Sequence, residues 1–522
     1  MPRCRGWVLL FVFPILFTTS CEKFESPSEK SGANNANVLR FDVSAPLTSL
    51  DPTKVRLSGS TVVFPLLYSY LFLPDEAGRL EPDLAVHWDY KANHHVWTIH
   101  LRGGARFHDH TLVTSKDVTY SLETGLATVR PALYGLIERV SLPSDTIICL
   151  RLRQDDPDFL KKIWDMEIVP KSNTHRIDYD NHPIGSGPFR FKSRQGQTQV
   201  TLEANPDYFL GRPALDAVVF HFQPDKERAW ARLLAGTTDI VQEISPKNYQ
   251  IMKQYEKEYY FDLYTLWYYT ILLYNTKDPL FSDPKVRLAL AYAIDKEYIV
   301  QNLLKGLGKV AVGPMGVDSP YHNPEVRPIP YDPGKAVALL NQAGWSYDVA
   351  GRYLEKQGNE FEFTILVLSE SQIEKKVARY LRLCLNDLGI KARVQPVLFN
   401  DLKRTYVKNN AFQAVLTEFR GAYRDPEYLK QLWSPGPFAP SGAGAFDAPE
   451  VSRLINQALA EKDPSRRKVL FYRLDALLTA LQPGTFLFQK TAIDVMSKRF
   501  FLPEPFSLTF RGIHHLAKAC LR

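Results

Sequence analysis

Apolar and polar positions recur along this chain with two periods, and each predicts an element. Val38–Val43 (VLRFDV) reads as a strand. Val96–Leu101 (VWTIHL) alternates as a half-buried strand does and runs into the turn Gly103-Gly104. A helix is predicted over 115–124, with Thr114 as N-cap and Asp117 three residues on, the spacing of a capping box. Strands follow at 200–203 and Ala217–Phe222, then a helix at 227–234. The clearest helical pattern is 284–305: Asp283 caps it, Pro284 takes its first turn, and Val286, Leu290, Ala293 and Ile294 share one face. Asp332-Pro333 opens another helix over 334–343, stopped by Gly344. The segments 361–368, 373–388 and 391–398 then read strand, helix, strand, which is an α/β unit with a parallel sheet component. Helices at Pro449–Ala460 and Pro464–Leu481 complete a chain that mixes both elements throughout and has no internal repeat.

The N-terminus follows a different pattern. Arg3 and Arg5 precede an apolar run at 7–17 (WVLLFVFPILF), then come Thr18, Thr19, Ser20 and Cys21. A basic start, a short apolar stretch and small residues describe a secretory signal over 1–20. The eleven residues of the run fall short of the about 20 that span a bilayer. A cysteine directly after the small residues resembles the lipobox of bacterial lipoproteins, in which the thiol is acylated; Thr18 stands where that motif usually has Leu. The other reading is ordinary cleavage, with Cys21 an incidental thiol. Residues 21–37 are polar and rich in Ser and Asn, the composition of a flexible tether. The expectation is an exported protein of the periplasm or cell surface, anchored by lipid at Cys21.

Composition narrows the classes. A chain of 522 residues exceeds one core, so two or three domains are expected. Hydrophobic residues at 45% and aromatics at 12% describe a globular protein. The formal charge of +7 falls to +5 once Arg3 and Arg5 leave with the signal, and no run of five basic residues occurs, which argues against nucleic acid as a partner. Of the five cysteines, Cys149, Cys384 and Cys520 remain after Cys4 and Cys21 are set aside, too few and too scattered for a disulfide framework or a zinc pattern. A Cys149–Cys384 bridge stays open. Gly-x-Ser-x-Gly, His-Glu-x-x-His and Walker A motifs are all missing, so nothing points to an enzyme or a cofactor.

Several stretches, in order, resemble the family 5 extracellular solute-binding proteins of ABC importers, the dipeptide- and oligopeptide-binding group. They are LEPDLAVHW at 80–88, VWTIHLRGGARFHDHTLVTSKDVTYS at 96–121, GSGPFRF at 185–191, NPDYFLGRPALD at 205–216, LAGTTDI at 234–240, LYNTKDPLFSDPKVRLALAYAIDKEYIV at 273–300 and YDPGKAVALLNQAGW at 331–345. The sequence departs from the family pattern at His110, where a Gly is usual, and at Ser115, where an Ala is usual. The resemblance implies a periplasmic-binding-protein-like α/β fold of two lobes (type II, with an extra domain) and a ligand cleft between the lobes. One lobe would be discontinuous (38–57, 185–274 and 490–522), the extra domain would be 58–184, and the second lobe 275–489. The crossing segments near Tyr274 and Gln489 would form the hinge.

The resemblance also implies site residues. Peptide-binding relatives place a carboxylate for the ligand's α-amino group three residues before the acid of an Asp/Glu-Pro pair. Here that pair is Asp425-Pro426, and Ala422 stands in the place of the carboxylate. An alanine cannot neutralise an ammonium, and a buried unpaired charge costs several kcal/mol. Either Glu418 or Asp425 substitutes, or the ligand has no free amino terminus there; the second is the expectation. The surrounding loop, with Phe419, Arg420, Gly421, Ala422, Tyr423 and Asp425, is the expected ligand-contacting segment. Dipeptide-binding relatives grip the ligand carboxylate with an Arg at the start of a second-lobe helix, and Lys375 and Lys376 fall at about that place. Trp267, Tyr268 and Tyr269 precede the expected hinge strand; neighbours on a strand alternate, so the three cannot all face the cleft, and one lines it while the others pack, with Trp267 and Tyr269 the expected ligand contacts. His108 and His110, near His94 and His95, invite a metal reading, but the resemblance makes the Phe107-His108-Asp109 run a structural turn.

The function implied is capture of a peptide or peptide-like ligand by a monomer and its delivery to an ABC permease with its ATPase subunits. The rivals keep the fold and change the ligand to a nickel chelate, an oligosaccharide or a haem-like molecule, or make the protein a sensor or chaperone without transport.

Overall fold

The computed structural model describes residues 37–54, 59–75, 79–171, 178–223, 225–402, 411–420, 427–435, 445–461 and 463–501, together with 513, 516 and 520–521. The signal and tether segments, Cys21 included, lie outside the described residues.

Strand β1 (Val38–Val43) lies in an 11-stranded sheet that passes through both lobes. A separate four-stranded antiparallel sheet is built from β2 (Ala85–Lys91), β3 (Val96–Leu101), β4 (Ile137–Ser144) and β5 (Ile147–Leu152), in the order β2-β3-β5-β4. Its inner face packs Trp97, Ile99, Ile148 and Leu150 against helix α1 (Ser115–Ser121) and Phe159, giving this region its own core. The predicted capping box at the start of α1 is present: the Asp117 carboxylate accepts from the Thr114 amide at 2.8 Å.

The chain then returns to the large sheet with β6 (Phe189–Gln195), β7 (Gln199–Ala204) and β8 (Ala217–Phe222), which pairs in parallel with β1. Helix α2 (Lys226–Leu234) leads to the short β9 (Ile240–Val241), which pairs in parallel with the other side of β1. The first lobe's sheet thus has β1 at its centre. Leu39, Phe41, Val218 and Phe220 face one core, and Trp230, Leu233, Ile493 and Val495 form a second.

Strand β10 (Tyr259–Tyr274) runs out of this lobe and into the next. Helix α3 (Pro284–Tyr292) follows it, capped by Asp283 as predicted. The helical pattern predicted over 284–305 does not run through: α3 ends at Tyr292, and Asp295 caps a new turn at Lys296–Tyr298 by accepting from the Tyr298 amide at 2.9 Å. Asp is a good cap and a poor interior residue, so one periodic pattern holds two pieces.

The second lobe's sheet contains β11 (Gly308–Val310), β12 (Glu362–Leu368), β13 (Lys391–Val397) and β14 (Ala414–Arg420), closed by the long β15 (Gly484–Ser497). Strands β12 and β13 are parallel, as the strand–helix–strand pattern predicts, and β14 is parallel to β12. Helices α4 (Pro333–Gln342) and α5 (Gln372–Asp387) join α3 on one face, where Leu290, Leu340 and Leu381 meet Leu272, Ile365 and Leu416. Helices α6 (Glu427–Trp433), α7 (Pro449–Ala460) and α8 (Pro464–Leu481) cover the other face, where Trp433, Ile455 and Leu474 meet Ile271, Val415 and Phe486. The full order is β13-β12-β14-β10-β15-β9-β1-β8-β7-β6, with β11 on β15. Cys149 on β5 and Cys384 on α5 are both free thiols, so the bridge left open by the sequence is not formed. No helix among the described residues is long and apolar enough to cross a membrane.

Candidate ligand-binding cleft

Only β10 and β15 carry the large sheet from one lobe to the other among the described strands. They pair antiparallel from Tyr259–Ser497 to Thr265–Thr491 in the first lobe, and again from Tyr269–Gln489 to Leu273–Gly484 in the second. Between these runs the register slips, and Leu266, Trp267 and Tyr268 stand opposite Lys490 alone. A bulge of this kind bends a strand and weakens its ladder locally. Gln489 braces the break from β15: its Nε2 donates to the Leu266 carbonyl at 3.3 Å, and its Oε1 accepts from the Val317 amide at 3.2 Å.

The parallel strands of both lobes aim their carboxyl ends at this break. Strands β1 and β8 run with β9, which lies antiparallel to β15 and therefore points toward the second lobe. Strands β12 and β14 point the opposite way, and the last pair of β14 with β10 is Arg420–Tyr268. In open α/β sheets, ligands bind outside the carboxyl ends of the strands, where backbone groups are unpaired and loops converge. The two rims here face each other across the crossing strands, which is the geometry of an interlobe cleft.

At the break, Tyr268 is 43% exposed, whereas Tyr269 is wholly buried. The Tyr269 ring packs against Phe419 and Phe486, with centroids 6.3 and 5.4 Å apart. Phe419, half-buried near the end of β14, also meets Trp433 edge-on. Tyr269 therefore packs in the second lobe's core with Phe419, Phe486 and Trp433 and does not line the cleft, contrary to the expectation; of the Tyr269–Phe419 pair only Phe419 is partly exposed. The backbone of Trp267 lies in the bulge and that of Arg420 at the end of β14. Gly421, Ala422, Tyr423 and Asp425 lie outside the described residues. Lys375 is half-buried in the first turn of α5 and Lys376 is exposed.

Beside Lys375 is a residue that the sequence reading passed over. Glu374 is 4% exposed, on the same stripe of α5 as Val377, Ala378, Leu381 and Leu385. It faces the sheet near Glu418 of β14, which forms an ion pair with Lys490 of β15. Burial, and then the charge of Glu418, push the Glu374 carboxyl up to about 7, with Lys490 pulling the other way. One Glu374 carboxylate oxygen is buried with no hydrogen-bond partner among the described residues. A charged residue inside an otherwise apolar helical stripe is the sequence signal that would have flagged it.

Two other places are not part of the cleft. A shallow pocket of about 380 Å³, lined in part by Asn275, Thr364, Gln395 and Gln413, lies at the opposite edge, where β14 begins. His108 is structural: its Nδ1 accepts from the Gly185 amide at 3.2 Å and its Nε2 meets the Gly187 carbonyl at 3.1 Å. Both ring nitrogens are thereby used, and no metal-ligating cluster occurs among the described residues. The same loop explains its glycines, since a Cβ on Gly187 would stand 2.6 Å from the Leu66 carbonyl oxygen.

The family model for bacterial extracellular solute-binding proteins, family 5, matches residues 79–439. The oligopeptide-binding protein AppA of Bacillus subtilis is 31% identical over 364 residues, which are 66% of this chain and 66% of AppA. Heme-binding protein A of Haemophilus influenzae is 25% identical over 83% of this chain and 84% of its own length. The structure of B. subtilis AppA in complex with a nonapeptide superimposes with a TM-score of 0.74 at 24% identity, covering 93% of this chain and 99% of AppA.

Proposed function

The chain belongs to the bacterial extracellular solute-binding proteins of family 5, binding proteins rather than enzymes, and we propose that it is the substrate-binding lipoprotein of an ABC importer. It captures a peptide or peptide-like ligand between its lobes, closes, and presents the closed shape to a permease served by ATPase subunits. The observation that carries this reading is the convergence of both sets of parallel strands, by their carboxyl ends, on the bulged crossing of β10 and β15. A cleft bordered by two rigid lobes and crossed by two strands encloses a ligand by a small rotation, with no bond broken.

In this reading one lobe comprises 38–57, 185–268 and 490–522, the extra domain 58–184 and the second lobe 269–489: the pivot is where 266–268 oppose Lys490, a few residues before the crossing near Tyr274 expected from the sequence, because residues 269–274 pack in the second lobe's cores. Phe419 (backed by the buried Tyr269), the adjoining Trp267 and the loop 420–425 contact the ligand, and Lys375 borders it. Because Ala422 offers no charge, the ligand's amino terminus is not held at that place. Cys21 carries the lipid, which anchors the monomer to a membrane in the periplasm or at the cell surface.

Native mass spectrometry of protein purified from its own cells identifies the ligand, and solution scattering with and without it tests closure. A more compact particle with ligand is expected. Identical scattering at saturation would refute capture by closure. A second reading, a haem-like or other non-peptide ligand, is favoured by the longer match to Heme-binding protein A, and the same mass measurement separates the two.

A further inference from the structure

We infer that Glu374, Glu418 and Lys490 form a receptor for a cationic group of the ligand, an ammonium or guanidinium, at the hinge end of the cleft. The inference rests on the proposed capture of a peptide-like ligand and names the chemistry this ligand carries.

Three elements far apart in sequence build the place: the first turn of α5, the end of β14 and the middle of β15. Within the sheet, Glu418 sits in register with Thr270 of β10, and Thr270 with Phe488 of β15. Lys490 reaches Glu418 diagonally from beside the bulge. The Glu418 and Lys490 side chains remain 30% and 26% exposed, so the site opens to solvent past them, on the edge where the strands end.

The charges do not balance. Among the described residues two carboxylates share one ammonium, and Lys490 is committed to Glu418. Glu374 is left more than nine-tenths buried, with one oxygen unpartnered among the described residues. A buried carboxylate without a partner is costly, and the cost is relieved either by holding a proton or by receiving a cation. The raised titration of Glu374 is the first of these two responses in the absence of ligand. A ligand cation supplies the second. A metal ion is a poor occupant, because the Lys490 ammonium stands beside both carboxylates and repels it. An organic cation instead donates directional hydrogen bonds to Glu374 while Lys490 keeps Glu418 in place.

Three tetrapeptide libraries test this, with retained peptides identified by mass spectrometry after rapid gel filtration of the full-length protein. One has free amino termini and no basic side chains. The second is N-acetylated and contains Arg and Lys, and the third is N-acetylated without basic residues. At least one of the cationic libraries should be retained roughly ten- to a hundredfold better than the third. Preference for the first identifies a terminal ammonium, and preference for the second a basic side chain. Glu374→Gln, which keeps the shape and removes the charge, should erase the preference while still retaining peptides. A merely structural role for Glu374 would weaken all three libraries alike. Equal retention of the three by the unaltered protein, or a preference that survives Glu374→Gln, overturns the inference and leaves peptide capture standing. Retention of none overturns both.

Discussion

Replacing Asp494 by Asn isolates one buried charge in the crossing strand. Asp494 is wholly buried on β15, opposite Asp262 in the ladder, and one carboxylate oxygen accepts from the Glu243 amide at 2.8 Å. Burial pushes its carboxyl up to about 7; Asp262 and Glu243 push the same way, against the Glu243 amide and the Tyr264 hydroxyl. In the unfolded chain the group titrates near the ordinary value of about 3.9. The fold therefore prefers the protonated acid. Below about pH 4 both states are neutral and the group costs nothing. As pH rises from about 4 to 7 the unfolded state ionises first, and stability is lost progressively. Above about pH 7 the loss is complete, and three pH units at 1.36 kcal/mol each put it at about 4 kcal/mol. Asn keeps an oxygen for the Glu243 amide and carries no charge. Urea unfolding followed by circular dichroism at pH 5, 6, 7 and 8, at fixed ionic strength, should show Asp494→Asn gaining on the unaltered protein as pH rises. The advantage at pH 8 over that at pH 5 should be about 2–3 kcal/mol. A difference that stays flat across this range, or a variant less stable at pH 8 than at pH 5 relative to the parent, refutes the assignment of a buried neutral acid.

Gly187→Ala places a Cβ against the carbonyls of Leu66 and Leu67, 2.6 and 2.8 Å from their oxygens, and should cost about 1–3 kcal/mol, seen as a melting temperature lower by several degrees. Gln489→Leu removes the acceptor of the Val317 amide and the donor to Leu266; at about 1 kcal/mol per bond, hydrogen exchange at Val317 should quicken roughly five- to thirtyfold, and unchanged protection would show that Gln489 does not brace the crossing. Ala422→Asp should improve binding of free-amine peptides by about 10- to 150-fold in calorimetry and leave N-acetylated ones unaffected, because a charge-assisted contact is worth roughly 1.5–3 kcal/mol. Cys21→Ser should abolish a diacylglyceryl adduct in the intact mass of membrane-extracted protein, and a parent protein without that adduct would end the lipid-anchor reading.

Elements bounded by strong local chemistry were legible. Asp283, Asp332 and Asp463 each precede a Pro and cap a helix where the pattern places one, and Val38–Val43 and Ala217–Phe222 are strands of the predicted extent. Of the crossing strands only the end of β10, the expected hinge strand, was legible. A strand is found in sequence by one alternation held along its length. In β10 the second half, Tyr269–Tyr274, is buried on both faces between two helical layers, so it reads as a continuous apolar run. The first half alternates against other cores, and the bulge at Leu266–Tyr268 shifts the phase between them. No single period describes a strand that serves two lobes.

The candidate site was legible only where one segment carries the signal. The Trp267–Tyr269 run and the Glu418–Asp425 loop stand out as short stretches, and the structure brings the Tyr269 and Phe419 rings together. Glu374 reads in isolation as the first acid of a helix, a favourable and ordinary place near the positive end of the macrodipole. Its meaning depends on Glu418 and Lys490, which arrive through a parallel strand and a strand returning from the chain's far end. Position then adds what identity cannot. Charges beside a hinge lose water as lobes close, and each interaction among them strengthens as the local dielectric falls. A cation seated at Glu374 would gain most in the closed state, so the group that selects the ligand would also favour the shape a permease receives. That coupling is a property of where three side chains meet, and no window along the sequence contains all three.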